Sequence, residues 1–342
     1  MVGKDDRQVS EVTSRAVAFV AAHREPAVRL GRELDGLAND PEAFARHLRV
    51  GLARLADPEY LEGQRRVAPG IGPIGGVRRP LIEAVRRGLR QSNRGGQGGP
   101  WLDVADRLLR DESLEAQWLE AQWVACGLLE RAITHDPERA WQLVRRASRN
   151  TGDWITVDTL AHVAAKGILE EPYRWAELEQ LVYAPSPWER RLVGSTIATL
   201  PVANRRRGRE PFVAERGLAV IGQLMGDDEP AVQKALSWAL RSLTLVDRRA
   251  VESFCEGEAA IARERHDGHR AWVIRDALVK LDPKRASAIR DTLSGIRRRA
   301  GAPATSSASA AAAALGAGLL GRPFPEPPPS LNTPQNMAAA RS

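Results

Sequence analysis

The sequence predicts an all-α chain of stacked helical repeats, and three observations carry that prediction. First, an amphipathic helix with tryptophan near its start recurs. It is read at Trp118-Leu119-Glu120-Ala121-Gln122-Trp123-Val124, at Trp154, at Trp188, at Trp238 and at Ala271-Trp272-Val273-Ile274. Second, the spacing is regular. Trp154 to Trp188 and Trp238 to Trp272 are each 34 residues, while Trp188 to Trp238 is 50, the excess coinciding with the basic insert Asn204-Arg205-Arg206-Arg207-Gly208-Arg209. Third, runs of alternating β-branched residues, the mark of a strand, are nearly absent. Second helices, Pro137 to Ser148 and Pro172 to Val182, fall between the recurring ones. Two helices per period are the signature of an α-solenoid of HEAT-like helical repeats with a concave groove, here a basic one.

Each element has a local reason. Over 12–35 and 42–56 apolar residues return every three or four positions, as in Phe44, Leu48, Leu52 and Leu55, the spacing of one helix face. Asp136-Pro137 starts a helix, since aspartate caps and proline suits the first helical position. Ser186-Pro187-Trp188-Glu189 adds a glutamate placed to close a capping box. Asp228-Glu229-Pro230 opens the helix that carries Trp238. The glycine-rich run from Gln91 to Pro100 predicts a flexible loop. Beyond Gly301 the chain is Ala, Pro, Ser and Gly and cannot bury enough apolar surface to order itself. The expected organisation is an N-terminal helical extension (1–40), a repeat domain (41–300) and a disordered tail (301–342).

Composition narrows the partners. The 342 residues can bury a substantial core as one large domain or two smaller ones. Lys and Arg number 50 against 43 Asp and Glu, a net charge of +7. Nearly all the cations are arginine, which forks onto phosphate better than lysine does, so a polyanionic partner is expected. Two cysteines, Cys126 and Cys255, permit neither a disulfide framework nor a cysteine-based zinc site. No apolar run follows the first residues, and no stretch of about 18 uncharged apolar residues is present. A cytoplasmic, nucleoid-associated protein with no membrane partner is therefore expected.

Three helical stretches place a tryptophan one turn from a charge. Residues three or four apart are neighbours on a helix surface, so Trp154 sits beside Asp158, Trp188 beside Arg191, and Trp238 between Lys234 and Arg241. An aromatic face next to an anion, with cations close by, suits a nucleotide; a plain seam between helices is the competing reading. From Gln64 to Arg90 lie seven arginines (65, 66, 78, 79, 86, 87 and 90) and one acid, Glu83. Within that stretch Gly70-Ile71-Gly72-Pro73-Ile74-Gly75-Gly76 offers backbone N–H groups as a phosphate clamp, or is only an interhelical connection. His162 shares a stripe with Trp154 and Asp158 and reads as a packing residue rather than a base. His266-Asp267-Gly268-His269 reads as a helix start. The histidines form no metal-ligand set, and no P-loop, GxSxG elbow or CxxC is present, so no metal or cofactor is expected.

Four of these motifs in order resemble the AlkD-like family of DNA alkylation repair proteins, HEAT-like-repeat DNA glycosylases. The likeness runs from about residue 45 to 295. It begins with a glycine turn before Arg78-Arg79-Pro80-Leu81-Ile82. Next come Trp154-x-x-x-Asp158, Pro187-Trp188-x-x-Arg191 and Gln233-Lys234-Ala-x-x-Trp238-x-Leu-Arg241. It closes at His269-Arg270-Ala271-Trp272-Val273-Ile274-Arg275. The resemblance implies that Trp154, Asp158, Arg191 and Trp238 are the catalytic residues. Arg78, Arg79, Trp188, Arg190, Lys234, Arg241, Arg270 and Arg275 are the expected DNA contacts. The N-terminal extension, the 91–100 loop, the 204–209 insert and the tail depart from the family pattern.

The implied activity is monofunctional excision of cationic N3- or N7-alkylated purines, including bulky adducts, from double-stranded DNA by a monomer. The chemistry fits the residues. An alkylated purine leaves as a neutral base, and the sugar left behind approaches an oxocarbenium cation. Asp158 supplies the anion such a cation needs, and Trp154 and Trp238 supply electron-rich faces. A carboxylate about 4 Å away stabilises that cation by roughly 4 kcal/mol at an effective dielectric near 20. Arg191 is expected to hold a flanking phosphate. A non-catalytic repeat scaffold that binds DNA or protein is the competing class.

Overall fold

The computed structural model describes residues 3–67, 73–92, 98–110 and 119–303. Trp118, residues 93–97 of the predicted loop, Gly70 to Gly72 of the basic turn and the chain beyond Pro303 lie outside them. Among the described residues there are fifteen α-helices and no strand. In chain order they are α1 (Gly3–Asp35), α2 (Pro41–Arg54), α3 (Pro58–Val67), α4 (Arg79–Ser92), α5 (Gly98–Leu108), α6 (Leu119–Ala132), α7 (Pro137–Asn150) and α8 (Trp154–Glu170). They continue as α9 (Arg174–Gln180), α10 (Pro187–Ala203), α11 (Pro211–Gly222), α12 (Pro230–Leu243), α13 (Arg248–Arg265), α14 (Gly268–Ala277) and α15 (Pro283–Thr292). The fold is an all-α helical repeat.

Alternate helices form one row. α4, α6, α8, α10, α12 and α14 each pack on the next, while α7, α11 and α13 lie behind α8, α12 and α14. The starts of the last four row helices fall at residues 154, 187, 230 and 268. Trp154 is the first residue of its helix and Trp188 the second, but Trp238 is the ninth residue of α12 and Trp272 the fifth of α14. The 50-residue interval therefore arises partly from where Trp238 stands in its helix, and only partly from the inserted segment around the 3-10 turn Arg207–Arg209.

Polar contacts between neighbouring repeats carry the same period. Thr156 Oγ1 donates to Gln122 Oε1, 34 residues back, and Arg191 pairs with Asp158, 33 back. Arg190 pairs with Asp227 and Arg216 with Glu179, both 37 apart, and Arg241 with Asp276, 35 apart. Hydrophobic burial between stacked helices is non-directional. These bonds fix the register of one repeat on the next.

Several predicted helix starts are capped as expected. Asp136 accepts from Arg139 N at 3.1 Å, and Ser186 accepts from Trp188 N at 3.3 Å. The capping box at Ser186 is not closed, because the Glu189 carboxylate instead faces Arg149 of α7, with its Nε and Nη2 each at 3.4 Å. Tertiary pairing takes that side chain from its local partner.

The start of α4 is fixed by a buried carboxylate. Glu120 of α6 accepts from Gly75 N and Gly76 N at 2.8 Å and from Val77 N at 3.0 Å. Gly76 has φ +79, and a Cβ there would stand 2.7 Å from Leu61 Cβ, so the turn requires glycine. The described part of the glycine turn is thus an anion nest, but its anion is internal. For Gly75 and Gly76 the expected phosphate clamp is corrected accordingly: their N–H groups are already satisfied. Removing Glu120, which is fully buried, leaves three N–H donors, two of them buried, without an acceptor. Glu120→Ala is expected to destabilise the fold by about 3 kcal/mol or more, measured by urea unfolding. A loss within about 0.5 kcal/mol contradicts the nest.

Candidate active site

The eight described tryptophans divide by exposure. Trp141 and Trp175 are fully buried and Trp101 and Trp272 nearly so, as core residues should be, whereas Trp154 is 47% exposed. Trp188 and Trp238 are half-buried against the core. An aromatic ring left in water at the first position of a well-capped helix is the unusual case. Its backbone is firmly held. Asp153 caps α8 by accepting from Thr156 N at 2.8 Å, and Asp153 Oδ2 lies 2.8 Å from Thr156 Oγ1 and accepts from the Thr151 hydroxyl at 3.2 Å.

One turn along, Asp158 is held by α10. Arg191 Nε donates to Oδ1 at 3.1 Å and Nη2 to Oδ2 at 2.8 Å, a bidentate fork. Ser195 Oγ donates to Oδ1 at 2.6 Å. Oδ2 receives only the Arg191 donor among the described residues, and the Asp158 side chain keeps 21% of its surface open. The carboxylate is oriented from one side and reachable from the other. Arg191 itself is buried, and its third nitrogen, Nη1, donates to Ala231 O at 2.5 Å. All three guanidinium nitrogens are engaged, which corrects the expected phosphate contact of Arg191.

Ser195 was missing from the sequence-derived set. It lies four residues beyond Arg191, on the same helix stripe, and that spacing was its signal. The neighbouring residue, Gly194, lets α12 approach closely: a Cβ there would stand 2.9 Å from Ala235 Cβ. Ala235 precedes Trp238 by three residues, so the same close approach sets the part of α12 that carries Trp238.

Most of the expected DNA contacts are corrected in the same way. Arg78 is mostly buried, bonded to Asp57 Oδ2 at 2.6 Å and stacked 4.8 Å from the Tyr60 ring. Arg190 holds Asp227 at 2.7 Å and the carbonyls of Ala184 and Pro185 at 2.9 Å. Arg241 is buried against Asp276, and Arg270 pairs with Glu258 and Asp267. Arg275 caps the last described helix through Leu293 O and Ile296 O, at 2.7 and 2.9 Å. Each is an internal fastener.

Arg79 and Lys234 remain exposed, and no carboxylate pairs with either among the described residues. Arg79 stands 6.0 Å from the Trp123 ring centroid. His162 is also exposed rather than packed as expected. Desolvation by its surroundings holds it below the usual histidine value; Glu130 opposes this, Arg79 adds to it and Asp158 opposes it. Cys126 and Cys255 are buried, and burial pushes both thiols up to about 12, so neither serves as a nucleophile at neutral pH.

The comparison to known families then places the all-α helical-repeat chain. The chain matches the family model described as DNA alkylation repair enzyme over residues 48–281, and it belongs to that AlkD-like DNA alkylation repair family. No curated protein matches the chain.

The two adjacent arginines are expected to separate cleanly. Burial pushes the Asp57 carboxyl up, but Arg78 and the N–H groups of Tyr60 and Glu59 outweigh this and hold it below the usual carboxylate range. The pair's stabilisation is therefore present at neutral pH and fades as pH falls through that lowered value. Arg78→Ala should cost about 2 kcal/mol at pH 7 and leave the salt dependence of DNA binding unchanged. Arg79→Ala should leave stability intact and make the salt slope shallower by about one unit. Denaturation and binding titrations check both, and the reverse pattern contradicts the assignment.

Proposed function

We propose that the protein is a monofunctional DNA glycosylase that excises cationic N3- or N7-alkylated purines, such as 3-methyladenine and 7-methylguanine, from double-stranded DNA. The observation that carries this reading is the Asp158 carboxylate, held by Arg191 and Ser195 on one side and open on the other, one turn from exposed Trp154.

The alkylated base already carries positive charge, so it departs neutral without a general acid. The deoxyribose then approaches an oxocarbenium cation. Asp158 faces that cation with the open edge of Oδ2, and the same oxygen can accept a proton from the attacking water. Trp154 and Trp238 offer π faces to the cation. Attraction of about 4 kcal/mol at 4 Å is an upper value here, because Arg191 opposes part of the carboxylate field. In return Arg191 keeps the carboxylate preorganised, which matters more for a charge that develops during the reaction than raw field strength does. Arg191 and Ser195 are thus positioning residues, and Arg79, Lys234 and Trp188 meet the DNA backbone.

Water is the nucleophile in this scheme. Lys166, the nearest lysine along α8, donates to Glu130 O at 2.6 Å and is not poised to form a Schiff base. Strand cleavage by a lyase route is therefore not expected. Because the site is a face carrying an exposed ring, bulky adducts are proposed substrates too. The protein is proposed to act as a monomer in the cytoplasm, associated with the nucleoid.

Asp158→Asn preserves shape and should preserve DNA affinity, yet single-turnover excision of 7-methylguanine is expected to fall by about 100-fold or more. Excision at the wild-type rate rules out this chemistry, and absence of excision in both proteins favours a non-catalytic scaffold.

A further inference from the structure

A recess of about 510 Å3 lies outside the Asp158 network, between α7 and the segment from the end of α9 to the start of α10. Its size is that of small-molecule sites, which span about 300–1,000 Å3. Arg145 and Arg149, four apart on α7, line one side, and Tyr183, Ser186 and Glu189 line the other. Arg145 has no carboxylate partner among the described residues, and its Nε is shut off from water with no hydrogen-bond partner. Arg149 is tethered loosely, 3.4 Å from Glu189, with 60% of its side chain exposed. Tyr183 is 79% exposed, although its hydroxyl is anchored on Gln223 at 2.9 Å. Ser186 Oγ accepts from Trp188 N and keeps its own proton to donate.

One unneutralised guanidinium, a second held only loosely and a ring presented to solvent together fit an anion attached to a flat heterocycle. We propose that this recess is a nucleotide subsite. The phosphate lies on Arg145 and Arg149 with Ser186 as a further donor, and the base stacks on Tyr183. Glu189 carries the one opposing charge and stays paired with Arg149. Arg149 precedes Trp154 by five residues and Ser186 precedes Trp188 by two, so the recess borders the tryptophan-bearing ends of α8 and α10. Resting on the DNA-repair reading above, the nucleotide is an unpaired one of the bound strand; a free mononucleotide offers the same chemistry.

The full-length protein is titrated with deoxyadenosine 5′-monophosphate, deoxyadenosine and inorganic phosphate by calorimetry. In parallel, duplexes with and without one unpaired nucleotide are compared by fluorescence anisotropy. The monophosphate is expected to bind saturably in the millimolar range and more tightly than either fragment. Tyr183→Ala and the Arg145→Ala/Arg149→Ala pair should each weaken it by at least about fivefold, for Tyr183 the lower end of base–aromatic stacking. Preference for the duplex with the unpaired nucleotide, lost in Tyr183→Ala, assigns the ligand to the strand. Monophosphate binding without that preference keeps the subsite and assigns it to free nucleotide. Phosphate binding as tightly as the monophosphate, with Tyr183→Ala unaffected, overturns the proposal, as does absence of saturable binding in both arms. The Asp158→Asn protein is carried through both arms; it should bind nucleotide like wild type, so a failure of the excision chemistry is not read as a failure of the recess.

Discussion

The bidentate pair between Asp158 on α8 and Arg191 on α10 is the interaction on which the candidate site depends. It joins two row helices, takes every nitrogen of a buried guanidinium, and with Ser195 turns the carboxylate to one orientation. A buried arginine without its anion costs several kcal/mol, so the pair is held together by the penalty of separating it. The same chain contains an instructive counterpart between α12 and α14. Ser237 donates to Asp276 at 2.8 Å and Arg241 pairs with the same carboxylate, but there the aspartate side chain is only 2% exposed. Identical chemistry is a fastener where it is sealed and, in the proposed function, a reactive surface where it is open. Exposure, together with the uncovered ring of Trp154, separates the two.

Arginine use follows from the architecture. Stacked helices bury apolar surface without fixing how far one slides on the next, and directional bonds from repeat to repeat supply that register. Arg190, Arg216 and Arg241 each reach an acidic side chain on a neighbouring repeat. The net charge of +7 therefore overstates the cations available to a polyanion. Of the cations expected to touch DNA, Arg79 and Lys234 are the ones that face outward with no carboxylate partner among the described residues.

Much of the fold was legible because its causes are local. Helix periodicity and the caps at Asp136 and Ser186 are written within a few residues, and the tryptophan spacing exposed the repeat. Trp154, Asp158 and Arg191 were legible for a related reason, since a turn of helix makes neighbours of residues four apart. Which arginines were free was not legible, because their partners stand a whole repeat away. The glycine turn misled in the same way: its N–H groups do bind an anion, but that anion is Glu120, 44 residues further along. Glu189 left its capping box for Arg149, and Trp238 proved to lie deep in α12 rather than at its start. In each case a distant partner overrode a local motif.

The central claim is that the open carboxylate of Asp158 serves the breaking of an N-glycosyl bond. The most direct test is mass-spectrometric identification of the products after incubation of the full-length protein with methylated duplex DNA. The account predicts free 3-methyladenine or 7-methylguanine in solution, with an unbroken strand carrying abasic sites. Methylated DNA bound but recovered with every base still attached would contradict it.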